Sequence, residues 1–207
     1  MPNSLDGSSD KVHNGFFGYS YQRLEMVFTS VQRDAKSPNI YHVQGKNRRY
    51  KIVRAFSGTI TLNEVHPYDK SKPSYGAEKG EQAYTATGKF VLREEARRGD
   101  DAYGTFSGDL AVDFSRRTKG GLQLNTYTAN NQTRNGGFLM DGMWKDAATG
   151  AEVDVLIKNG MAVTRQVIHD FKVGDRMMHT SRKYTRVGWD TYWGNEEWWA
   201  EKPMARK

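Results

Sequence analysis

Cysteine is absent from this chain of 207 residues. That excludes disulfides, thiolate metal sites, cysteine nucleophiles and cysteine-linked lipid anchors. Long apolar runs are missing as well, and nothing approaches the roughly 20 residues of a membrane-spanning helix. The opening stretch MPNSLDGSSDKVHNG has no apolar segment behind a basic start. No secretory signal is therefore expected, and a cytoplasmic location is. The short motifs of dinucleotide, phosphate-loop, zinc-protease and serine-hydrolase sites are also lacking. The five histidines (His13, His42, His66, His169 and His179) are scattered, with no pair at ligand spacing on one element. His169 and Asp170 are adjacent, so on a strand they point to opposite faces. Glu152 and Asp154 share a strand face, where paired carboxylates are ordinarily solvated. The expectation is a chain with no catalytic residues, no metal site and no cofactor.

Aliphatic residues are sparse too. Hydrophobics make up 37% of the chain while aromatics alone make up 12%, so a core must lean on Phe, Tyr and Trp. The phrase Phe56-Ser-Gly-Thr-Ile-Thr-Leu62 returns fifty residues on as Phe106-Ser-Gly-Asp-Leu-Ala-Val-Asp-Phe114. In both, aromatic, glycine and aliphatic residues fall on every second position, with polar residues between them. That is the period of a strand with one face in a core and one in water. Residues 87–92 and 138–144 echo it, the latter aligning Phe138, Met140, Gly142 and Trp144. An inward glycine lets a strand bend into a closed sheet and leaves room for a ring to lie over it. The spacing of the echoes is irregular, which excludes solenoids and propellers.

Turn residues at 116–121 and 145–150 close hairpins, so the strands read as an antiparallel meander that closes on itself. The expected fold is all-β: an antiparallel up-and-down barrel, calycin-like, with a flexible segment over residues 1–18 and a single domain over 19–207. Residues 67–80 form its one long polar loop. Leu24, Val27, Phe28 and Val31 stand at helical spacing and predict an amphipathic N-terminal helix over 20–33. A strand through Leu24, Met26 and Phe28 is the alternative. Ser181 is placed to cap an aromatic-rich C-terminal helix running to about residue 201, weakened at Gly188 and Gly194.

The run Val43-Gln-Gly-Lys-Asn-Arg48, the two Phe-Ser-Gly phrases, Phe138…Gly142-Met-Trp144…Thr149-Gly150 and the late Tyr184…Gly188-Trp189 resemble a β-barrel family of Bacteroidota with no assigned function. The likeness spans roughly residues 40–192 and implies a barrel, with no activity attached. The triplet Gly142-Met-Trp144 is also similar to the G-x-W of lipocalins and other calycins. There it opens the barrel, whereas here it comes two-thirds along the chain.

Charge is the remaining signal. The chain carries 31 basic and 24 acidic residues, a net charge of +7, which favours an acidic partner. Tyr41, Lys46, Arg48, Arg49, Tyr50 and Lys51 interleave cations with rings, as single-strand nucleic-acid surfaces do. Further on, Trp189, Tyr192, Trp193, Trp198 and Trp199 crowd more aromatic area than one helix side can bury, leaving rings for a partner. The function expected is non-catalytic binding on a barrel. The ligand is a small apolar or aromatic molecule or a macromolecular partner of inhibitor or immunity type, with no membrane involved. Single-stranded nucleic-acid binding through 41–51 is the alternative.

Overall fold

Strands that alternate apolar and polar residues bury one face by curling a sheet around it, and this chain does so. The structure, a computed structural model, describes residues 11–68, 82–96, 102–116, 120–124, 133, 137–158, 167–171, 178–192 and 197–200. Its strands are β1 (His13–Phe17), β2 (Gln22–Arg33), β3 (Ile40–Arg49), β4 (Ile52–Pro67), β5 (Gln82–Glu94), β6 (Gly104–Arg116), β7 (Leu122–Leu124), β8 (Phe138–Asp146), β9 (Glu152–Lys158), β10 (Ile168–Phe171) and β11 (Met178–Thr180). All ladders are antiparallel. β1 to β6, β8 and β9 pair in a closed ring, with β7 added to the end of β6. β10 and β11 form a separate two-stranded ribbon. No helix among the described residues is long and apolar enough to cross a membrane.

The repeated phrase sits where alternation puts it. Phe56 and Phe106 are buried in the ring interior with Leu110, Phe138, Met140 and Trp144, and Ile60, Leu62 and Val112 pack against the same cluster. The two phrases flank β5: Gly58 pairs with Leu92, which pairs with Phe106, while Ile60 pairs with Phe90, which pairs with Gly108. Glycine thus stands opposite a ring in the second phrase, Gly108 against Phe90, and opposite Leu92 in the first. A Cβ on Gly104 would stand 2.6 Å from the Trp144 ring. On β6 and β8 the cause is backbone: a Cβ on Gly108 would lie 2.6 Å from the Cα of its partner Gly142. A larger residue at Gly58 or Gly108 therefore collides with a neighbouring strand and cannot serve as a tolerated plug.

Three terminal expectations are corrected. Residues 22–33 are strand β2, not a helix. Arg23, Leu24, Glu25, Met26 and Val27 are all buried in succession, because a second layer covers the outer face. The β-bulge between Phe28 and Ser30 also shifts the inward face by one residue, so Leu24, Phe28 and Val31 share it at helical spacing. Residues 13–17, assigned by the sequence to a flexible segment, are strand β1, held between β2 and β9. The C-terminal helix is short: α1 (Arg182–Tyr184) passes into a π-helical turn (Thr185–Trp189) that Gly188 breaks at φ +94°. Only glycine takes that conformation without strain.

Replacing Trp144 by Ala is expected to cost about 3–5 kcal/mol. Gly142→Val should cost about 3 kcal/mol by overpacking the β6–β8 crossing. Chemical denaturation measures both. An unchanged midpoint in either variant would contradict the inward register of β8.

Candidate functional site

Alternation along β3 divides the basic segment. Val43, Gly45 and Asn47 are buried in the ring and Tyr41 packs against its core, so Arg49 points inward with them while Lys46 and Arg48 point out. Tyr50 and Lys51 form the two-residue turn to β4. There Tyr50 takes φ 56° and the Lys51 ammonium lies 5.4 Å from its ring centroid. Six residues that looked like one surface therefore occupy an interior, an outer face and a turn. Of their four cations, only Lys46 and Arg48 share a face.

Inside, Arg49 belongs to a polar seal at one end of the ring. The Glu94 side chain is fully buried and accepts hydrogen bonds from Asn47 Nδ2 (2.9 Å), the Gly104 amide (2.8 Å) and Trp144 Nε1 (2.9 Å). Arg49 reaches both carboxylate oxygens at 3.3 Å. Its guanidinium stands 4.5 Å from the Trp144 ring centroid and 4.8 Å from that of Phe17, packed against both rings. Burial pulls the Arg49 pKa below its ordinary value, and the Glu94 charge works against that. A buried ion pair needs further hydrogen bonds to offset its desolvation, and β3, β6 and β8 supply them to Glu94 here.

Outside, the other cations meet the aromatic C-terminal segment. Glu25 takes a bidentate bond from Arg48 (2.5 and 2.9 Å) and an ion pair from Arg23 (3.0 Å). Arg23 packs beside the adjoining rings of Trp189 and Tyr192, 5.6 and 5.2 Å from their centroids, and burial lowers its pKa against the pull of Glu25. Trp189 and Tyr192 are buried with Phe16 and Val167 in a second apolar cluster, and Trp189 Nε1 donates to the Tyr21 carbonyl (2.8 Å). Trp198 lies 5.1 Å from the Arg48 guanidinium, and Lys46 Nζ donates to the Trp199 carbonyl at 2.8 Å. Two cations of the basic segment, Lys46 and Arg48, thus meet the C-terminal tryptophans, whose residues Trp198 and Trp199 stay half-buried. Trp193 lies outside the described residues.

The opposite end of the interior is different. Phe28, Tyr41, Ile60, Leu62 and Val112 point into it and are only half-buried, above a floor where Phe90, Phe106 and Met140 are at most 1% exposed. The His13 imidazole joins this wall, stacked on Phe138 at 4.6 Å. Sequence reading placed several of these residues in the core. It missed the open end, because no local signal says where the filling of a closed sheet stops.

Other features stay apart from this end. A groove of about 660 Å³ on the outer face of β5, β6, β8 and β9 carries Asp109, Asp141 and Asp154 over Ala111, Leu139 and Met143. His42 pairs with Asp34 and holds its carboxyl at about 2, while His66 pairs with Glu64 at 2.7 Å. Among the described residues no three His, Asp or Glu side chains gather as metal ligands would.

The engaged state of Arg48 is measurable. Arg48→Gln should lower stability by about 1–3 kcal/mol, since it leaves buried Glu25 short of a partner. Lys51→Gln, in the exposed turn, should stay within about 0.5 kcal/mol of the parent. Equal midpoints for both variants would return Arg48 to the free surface. Compared with known proteins, the chain matches no family model, no curated protein and no solved structure.

Proposed function

We propose that this chain is a non-catalytic binding protein built on a calycin-like up-and-down β-barrel, and that a small apolar or aromatic ligand enters the open end of its interior. The observation that carries this reading is the asymmetry of the ring. One end is sealed by the Arg49–Glu94–Trp144 cluster. The other ends in the inward, half-buried Phe28, Tyr41, Ile60, Leu62 and Val112. Half-buried aromatic and aliphatic side chains converging on a concavity, with a few polar groups among them, are the usual lining of a ligand pocket. His13 and the Tyr41 hydroxyl are the polar groups available there to orient a ligand.

The filled middle of the interior limits what fits. A ligand lies on the floor of Phe90, Phe106 and Met140 rather than passing it, which favours a compact ring or a short chain. Single-stranded nucleic acid has less support. Its phosphates need several cations on one face, and the cations of 41–51 are divided among an interior, a turn and the C-terminal aromatics.

Titration with an environment-sensitive apolar dye should show one saturable site per chain. Val112→Lys, which puts a charge into the open end, should weaken the dye by about tenfold or more. Ser107→Lys, on the outward face of the same strand, should leave it unchanged. A chain with no saturable site for apolar or aromatic probes, or a site indifferent to Val112→Lys, rules the reading out.

A further inference from the structure

The apolar interior does not stop at the open end of the ring. Beyond the residues that pair with β3 and β8, strands β4, β5 and β6 run on together and take up β7. Cross-strand partners share a face. Pairing of Val65 with Ala86, Tyr84 with Phe114 and Phe114 with Leu124 therefore makes one apolar face, continuous through Val112 with the ring interior. The rings of Tyr84 and Phe114 stack at 5.4 Å on it. Val65 is 53% exposed, Leu122 70% and Leu124 41%. Among the described residues this face carries a single charge, the exposed Arg116 opposite Leu122. On the reverse face of the same strands Glu64 and His66 are exposed, while Thr85 and Asp113 are buried, the Thr85 and Thr133 hydroxyls both donating to the Asp113 carboxylate. The β7 edge, Leu-Gln-Leu, has neither the proline nor the charge with which exposed strands are ordinarily guarded.

We propose that this extension docks on an anionic lipid bilayer, against the expectation of no membrane drawn from the sequence and resting on the reading above, so that the open end of the interior takes its apolar ligand from the lipid phase. The chemistry of the face selects the partner. Exposed aliphatic residues beside a Tyr–Phe pair and a cation match the apolar and headgroup layers of a membrane interface. The net charge of +7 draws the whole chain toward negative headgroups. A second copy would bring that same charge, and Arg116, against itself. The polar reverse face leaves one side of the extension able to lie on lipid, and it is the side that leads into the interior.

The test is flotation of the full chain with vesicles of phosphatidylcholine alone and of phosphatidylcholine mixed with phosphatidylserine. Binding to the mixed vesicles that weakens with added salt is expected. The double variant Leu122→Asp/Leu124→Asp should lose about tenfold or more in affinity, at an unchanged denaturation midpoint because both side chains are exposed. Arg116→Gln should lower affinity for the mixed vesicles by about fivefold and leave phosphatidylcholine binding as it was. No binding to the mixed vesicles at low salt overturns the proposal, as does equal binding by the double variant. A concentration-dependent dimer abolished by Leu122→Asp/Leu124→Asp gives the face to a second copy and also overturns it. The dye titration separates the two readings. Vesicle binding without a dye site leaves the bilayer surface standing and removes the interior site, and a dye site without vesicle binding does the reverse.

Discussion

The rest of the structure depends on one buried carboxylate. Glu94 ends β5 inside the ring, and groups from β3, β6 and β8 close on it. An ionised carboxylate in an apolar interior is costly unless it is paired and hydrogen-bonded. The ring supplies Arg49, an asparagine amide, a tryptophan N–H and a backbone N–H together. That requirement holds four strands in register at one end and stacks Arg49 against Phe17 and Trp144. With polar groups concentrated there, the remaining interior is left to Phe, Met, Leu and Val. Its opposite end stays apolar and half-open.

A second layer decides what the net charge means. Arg23, Arg48 and Lys46 are counted among the basic residues, yet each is engaged by Glu25, by tryptophan or tyrosine rings, or by the backbone of the C-terminal segment. Cation–π contacts and ion pairs under an aromatic layer fix that segment against β1, β2 and β3. Net charge counts side chains and is blind to whether their donors are already committed. The long-range field of +7 remains, and it acts on an approaching surface without needing a basic patch.

Legibility followed burial. On β4 and β6 one face meets the interior and the other carries polar residues or alanine, so the period of two is visible in Phe56 to Leu62 and in Phe106 to Phe114. On β2 the alternation of Arg23, Leu24, Glu25 and Met26 is broken by Val27, apolar on the buried outer face, and by the β-bulge between Phe28 and Ser30. The bulge moves the inward face by one residue, so Leu24, Phe28 and Val31 fall at helical spacing although they line one face of a strand. β1 was hidden for another reason: His-Asn-Gly-Phe-Phe gains its strand only by pairing with β2 and with the distant β9. At the C-terminus the weak point named from the sequence, Gly188, is where the helix stops.

The sequence by itself determined the class of fold, the inward faces of the central strands and the hairpins that join β8 to β9 and β6 to β7. Those depend on local alternation and turn chemistry, which are written residue by residue. Only the tertiary structure decided that β1 closes the sheet onto β9 and that Arg49 turns inward to Glu94. It also decided that the C-terminal aromatics cover the cations of β2 and β3, and that the interior is sealed at one end and open at the other. Each of those depends on groups brought together from positions far apart in the chain, as Arg49 meets Glu94 and Trp144. No local pattern encodes which distant partner will meet a given side chain, because the energy of such a contact exists only once closure has removed water from between them.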